Sequence, residues 1–171
     1  MIITNTKRLI PLTLFIILTF SAHTFAQNEV IRERNSLYGI KEFGVSVNIE
    51  RPLSLNTVPF KSDSVRQLII DRLSSLPINI IDDSTLKQSD QLPLLHLHIN
   101  IMNNVGGVHP FAAELKFYQP VKLPLNKNIQ TMGSTWADSF IGVVTPDLMN
   151  FIAAKSAGLA ENFRSDYEIV N

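Results

Sequence analysis

The residues most able to do chemistry in this chain are His96 and His98, separated by one leucine inside a run that alternates apolar and polar side chains. A period of two places both imidazoles on the same face of a strand, with their Cα atoms about 7 Å apart. Two histidines so placed can chelate zinc or copper, and a functional site needs at least a third ligand. The sequence offers His109 beyond the following loop, or Glu114 on the next run, and shows convergence of neither. The alternative reading is that both are ordinary polar-face residues of a half-buried strand. With no cysteine in the chain, a thiolate zinc site and a thiol nucleophile are excluded.

Other catalytic patterns are sparse. No Gly-x-Ser-x-Gly elbow occurs among the many serines, and Asp82-Asp83 reads as the end of a strand and the start of a turn. The acids are scattered, so no carboxylate pair is set by spacing. Gly106-Gly107 could turn backbone N–H groups toward an anion, but neither the helix start nor the spaced lysine of a phosphate loop follows. Residues 103–110 therefore read as the turn of a hairpin. No convergent catalytic set emerges, so the chain reads as a non-enzyme without a required cofactor.

The elements that must hold these residues follow from periodicity. Phe43, Val45, Val47 and Ile49 alternate with polar positions and predict a strand. After Pro52 and Pro59, the Ser62-Asp63-Ser64 group predicts a capped helix start, with Ser64 and Gln67 fitting a capping box. Val65, Leu68, Ile69, Leu73 and Leu76 form its apolar stripe, which must end before Pro77. Ile78, Ile80 and Ile81 make a short second strand, so this βαβ unit predicts two parallel strands.

Residues 92–123 then form a hairpin. Leu95, Leu97, Ile99 and Ile101 share one face with Phe111, Ala113, Leu115 and Phe117; His96, His98, Asn100, Glu114, Lys116 and Tyr118 take the other. A last strand over residues 129–141 places Met132, Trp136 and Phe140 toward the core. Thr145-Pro146-Asp147 opens a long helix with the stripe Leu148, Phe151, Ile152, Leu159, Phe163 and Tyr167. The order β-α-β-β-β-β-α predicts an α+β two-layer sandwich, with two helices on one face of a mixed, mostly antiparallel five-stranded sheet. The uncovered face is the expected partner surface, carrying Asn48, Asn100, Glu114, Lys116 and Tyr118. Trp136 joins that surface in the alternative where its strand faces outward.

The first 26 residues are unlike the rest: Lys7 and Arg8, an apolar run from Leu9 to Phe20, and a small-residue exit at Ala26. This predicts a secretory signal peptide cleaved near Ala26, and the run is too short for a stable membrane anchor. Residues 27–41 are expected as a flexible arm and residues 42–171 as one domain. The rest of the chain carries 13 basic and 15 acidic side chains in no block, which gives no footprint for nucleic acid. The expected location is periplasmic or secreted.

Thr135-Trp136, the Leu115-x-Phe117-x-Gln119-Pro120-Val121 strand and the closing Phe163-Arg164-Ser165-Asp166-Tyr167 resemble a group of small exported bacterial proteins of unassigned function. At the level of fold, the βαβ start with an antiparallel continuation is similar to envelope-assembly adaptor domains. Examples are the lipopolysaccharide-assembly lipoprotein and the N-terminal domain of the Tol-Pal propeller protein. The resemblance implies a non-enzymatic role and no catalytic residues; the lipobox cysteine of the lipoprotein is missing here. The leading expectation is a soluble periplasmic binding or envelope-assembly accessory protein, whose partner is an envelope protein or a small envelope ligand. A metal-binding protein using His96, His98 and His109 with zinc or copper is the alternative, and an envelope hydrolase the second.

Overall fold

Strict alternation over Phe43–Ile49 yields β1 (Glu42–Glu50). In the computed structural model, which describes residues 28–56, 59–89 and 91–171, it is followed by α2 (Ser62–Leu73), β2 (Asn79–Ile81), α3 (Asp83–Leu86) and β3 (Leu94–Ile101). The chain then runs through β4 (His109–Leu123), β5 (Asn126–Val144) and α4 (Met149–Val170), and a helix over residues 28–35, α1, precedes them all. The leader expected over residues 1–26 lies outside the described residues. The five strands form one sheet in the order β2-β1-β3-β4-β5, parallel across β2, β1 and β3 and antiparallel from β3 to β5. This is the α+β arrangement that the periodicity predicts.

The β3–β4 connection is tighter than an eight-residue loop. Val105 and Val108 bridge, leaving Gly106 and Gly107 as a two-residue turn with φ of 61° and 92°. Both lie in the left-handed region, where glycine is unstrained and where the twist of a hairpin demands two positive φ values in succession. Asn104 completes the turn by accepting from the Gly107 N–H.

The hairpin's apolar side is the floor of the core. Leu95, Leu97, Ile99, Ala113, Leu115 and Phe117 are fully buried beneath α2 and α4. Four aromatic rings lock α4 to it: Phe163 lies 5.5 Å from Phe43, 5.6 Å from Phe117 and 5.1 Å from Trp136, centroid to centroid. Edge-on packing of this kind adds to plain area burial. Trp136 is buried, so the side predicted for it as a core residue is where it stands.

Several elements depart from the periodicity. Met132 lies on the sheet face opposite Trp136, because a β-bulge sets Phe117 against Trp136 but Tyr118 against Ser134, leaving Thr135 extra. One added residue reverses the facing of everything before it. The bulged Thr135 accepts at its carbonyl from Ser36 Oγ and at its hydroxyl from Gln119. In α2, helix already begins at Ser62 with Lys61 at the cap position, so neither Ser62 nor Ser64 caps it, and Leu68 is largely exposed. Leu148, in the 3-10 turn Pro146–Leu148 that precedes α4, and Phe151 stand outside the buried stripe, which Met149, Ser156, Ala157 and Ala160 complete instead.

The segment expected as a flexible arm is helical over residues 28–35, and Leu37 is fully buried. It is pinned by residues far along the chain. Arg34 pairs with Asp166 at 2.7 Å, Tyr167 donates to the Ile40 carbonyl, and Asn171 bonds both the Leu37 carbonyl and the Gly39 N–H. Asp166 also accepts from Trp136 Nε1 at 3.0 Å, so the same carboxylate ties β5 to the segment before β1.

Phe163→Ala removes the ring shared by both layers. It is expected to lower unfolding free energy by about 3–5 kcal/mol, read by urea titration, whereas Phe151→Ala on the exposed side of the same helix changes it by less than about 1 kcal/mol.

Candidate binding cleft

The parallel half of the sheet dictates where a cleft forms. The chain leaves β1, crosses the core face through α2 and returns to β2 on one side; it then leaves β2 and must pass β1 to reach β3 on the other. Two crossovers that move in opposite directions keep one hand only by using opposite faces. The second therefore runs over the face away from α2 and α4, and carries α3 with it. Between the carboxyl ends of β1 and β2 the connections part to opposite faces. In open sheets with parallel strands, that parting leaves a crevice suited to ligands.

A cavity of about 680 Å³ lies there, in the range of small-ligand sites. β2 pairs with β1 only from Glu42 to Gly44, so the cavity is open to the edge of β1 from Val45 onward. Its floor is Ser46, Leu94, His96, Tyr118 and Met132; α3 and the chain after it supply Asp83, Leu86, Lys87 and Leu92; the start of α2 supplies Asp63 and Arg66. The lining is mainly apolar with a few converging polar groups.

Three local devices hold the walls. Arg66 donates from Nε to the Val45 carbonyl at 2.7 Å and pairs through its guanidinium with Asp83 at 2.9 Å, so one side chain ties α2, the β1 edge and α3. Asp82 caps α3, accepting from the Thr85 N–H and from the hydroxyls of Ser84 and Thr85; those bonds hold its carboxyl down at a pKa of about 2. Gly44 lets Leu86 press directly on β1, where a Cβ would overlap the leucine side chain.

His96 is the titratable group of the floor. Its Nδ1 lies 2.7 Å from Ser46 Oγ, and burial, with His98 and Lys116 nearby, pushes its pKa below the ordinary value. The neutral ring is the resident form near pH 7, and its hydrogen bond with Ser46 fixes its orientation. His98 stands beside it, ring centroids 6.5 Å apart, with Nε2 3.4 Å from Glu50 Oε1 in ion-pair range but not aligned as a hydrogen bond.

His109 does not join them. It is buried on the core face, where Nδ1 donates to the Met102 carbonyl at 2.8 Å. The pairing explains why. Met102 donates its N–H to the Pro110 carbonyl, and Pro110 has no N–H to return, so the histidine serves the carbonyl left over. The three-histidine ligand set is thus split across the sheet. Among the described residues no group of three His, Cys, Asp or Glu side chains is placed to hold a metal ion.

The proposed partner-surface residues divide as well. Asn48, Asn100, Glu114, Lys116 and Tyr118 share the face of His96 and His98, with Lys116 Nζ 2.9 Å from Glu114 Oε2. Trp136 is on the other face, 3% exposed, and belongs to the core. Periodicity found Ser46, His96 and Tyr118 of the floor, but Arg66, Leu86, Lys87 and Met132 had no signal that would bring them to the cleft. α3 is a four-residue helix, and the bulge that turns Met132 round leaves no mark in the alternation.

No protein-family profile matches the chain, and no curated protein matches it in sequence. Among solved structures, a dodecamer of a PelC variant from Paraburkholderia phytofirmans is similar at a TM-score of 0.40 and 12% identity, over 75% of this chain and 89% of that one. A superposition so loose carries no functional inference. No described helix is long and apolar enough to cross a membrane.

Arg66→Ala is expected to cost about 1–2 kcal/mol of stability, from loss of a partly buried charged hydrogen bond, and to raise amide exchange across α3. His96 provides a pH test. Its folded pKa lies below its unfolded one, so the unfolded chain binds the extra proton first; stability is complete above about pH 6.5 and falls as pH drops below it. Denaturation series from pH 7.5 to 5 should show this slope, and His96→Gln should flatten it.

Proposed function

We propose that the chain is an exported, non-enzymatic binding or assembly-accessory protein of the cell envelope, and that it holds its ligand or a partner's extended segment in the cleft between α3 and the open sheet face. Export is inferred from Lys7, Arg8 and the apolar run Leu9–Phe20. The observation that carries the binding role is the cavity of about 680 Å³ at the point where the connections from β1 and β2 part.

The chemistry of the lining suits recognition. Leu86, Leu92, Leu94 and Met132 supply apolar contact, while Arg66, Asp83, Lys87 and the Ser46–His96 pair supply orienting polar groups. Along the β1 edge, Gly44 donates its N–H toward β3 while Val45 turns its carbonyl outward to Arg66. By alternation Val47 and Ile49 also turn their backbone groups outward, so a guest strand could pair there while its side chains enter the cleft.

Two measurements test the proposal. Small-molecule and protein fractions of an envelope extract, added to isotope-labelled chain, are expected to shift the amide resonances of Ser46, Leu86, His96 and Tyr118, and Met132→Lys is expected to abolish the response. Shifts confined to the Val105–Val108 turn, or none with any fraction, would overturn the cleft as the site. Intact-mass analysis of chain recovered from the periplasm should give a product beginning near Gln27, and recovery of unprocessed chain from the cytoplasm would overturn export.

A further inference from the structure

Strand β1 is paired on its outer side for only part of its length. β2 stops at Ile81, opposite Gly44, where the chain turns at Asp82 over the open face into α3. Past that point Arg66 takes the Val45 carbonyl, and β1 runs on to Glu50. The pairing with β3 fixes which backbone groups are left over. Gly44 donates its N–H to the Pro93 carbonyl, so the even residues of β1 bond to β3 and the odd ones turn away from it. Val47 and Ile49 each present an N–H and a carbonyl outward, and no group among the described residues bonds to them.

This bare row has open space on both sides of the sheet. On the open face the cleft of about 680 Å³ reaches Val45, Ser46 and Val47 and is walled by Leu86, Leu92 and Met132. On the α2 side a second cavity, of about 310 Å³, is lined by Ile49, Arg51, Phe60, Lys61, Ser62 and Asp63. Ser62 and Asp63 line both, so the two spaces meet at the start of α2. The row also has a stop at each end: the side chain of Arg66, tied to Val45 and Asp83, at one, and Pro52 at the other. About four residues of extended chain, at about 3.3 Å each, fit between them.

We propose that the row takes an extended segment of a partner protein as a short added strand, with apolar side chains entering the cleft and acidic ones entering the cavity beside α2. This rests on the cleft reading above and narrows its occupant to one class. A strand carries N–H and C=O groups in the same two-residue repeat in which Val47 and Ile49 leave theirs. Its side chains alternate between two faces, and each face has a space to receive them. The two linings differ in chemistry. The cleft is mainly apolar, whereas the second cavity sets Arg51 and Lys61 against Asp63 alone, a net positive charge that suits a carboxylate side chain. A small ligand confined to the cleft would use neither the Ile49 backbone nor the second cavity.

The probe is the acetylated, amidated hexapeptide Leu-Glu-Leu-Glu-Leu-Glu, added to the isotope-labelled whole chain. In the free protein the Ser46 and Asn48 amides should exchange slowly, and those of Val47 and Ile49 fast. Bound peptide is expected to slow Val47 and Ile49 at least about tenfold. Two methylated versions separate a strand from an apolar ligand, one with methyl groups on the leucine nitrogens and the other with them on the glutamate nitrogens. Only one of these sets can face β1, so one version should bind at least about tenfold more weakly and the other within about twofold of the parent. Lys61→Glu should weaken the acidic peptide about threefold and strengthen its Leu-Lys counterpart. Equal losses with both methylated peptides, unchanged exchange at Val47 and Ile49, or a sedimenting dimer that protects these amides without peptide would overturn the proposal. If the peptide fails while an envelope fraction still shifts Ser46 and Tyr118, the peptide class falls and the cleft reading stands; silence from both ends both.

Discussion

The ring of Phe163 is where the two layers of this protein meet. It touches Phe43 from β1, Phe117 from β4 and Trp136 from β5, so a single side chain of α4 contacts three of the five strands. α2 has no such anchor. It reaches the sheet mainly along β1 and otherwise leans on α4, whose position the aromatic cluster sets. The covered face therefore depends on one contact network, and the open face is free to vary. Only on that free face does the chain add α3, and only there does it gather polar side chains over the centre of the sheet.

The fold was legible because most elements obey a single period throughout. Leu95 to Ile101 and Phe111 to Phe117 alternate without error, and each apolar member is buried as its parity requires. The helix after Thr145 was visible from its proline, and the parallel pairing of β1 with β2 from the spacing of two strands around a helix. Difficulty came where a local geometry resets the count. The extra residue at Thr135 turns Met132 to the far face, and nothing in the types of residues 129–136 separates a bulged strand from a regular one.

The candidate site was half legible for a related reason. Ser46, His96 and Tyr118 lie on strands, so their common face follows from period two. Arg66, Asp83 and Leu86 reach the cleft only because of strand order, a non-local property fixed by which crossover passes over which face. His109 shows the reverse. Its residue type suggested a ligand, but its neighbour Pro110 supplies the physical reason for its place: a ladder position without an N–H needs another donor for the opposing carbonyl, and the imidazole provides it.

The clasp between the start and the close of the folded region bears on the timing of folding. Tyr167 and Asn171 hold residues 37–40 across separations of 127 to 134 positions, and Trp136 waits for Asp166. A chain emerging from the ribosome can make the β3–β4 hairpin early, but the aromatic cluster and the clasp cannot close before residues 163–171 have been synthesised. Until then the apolar floor of the sheet has no α4 to cover it, so the two-layer core is completed last.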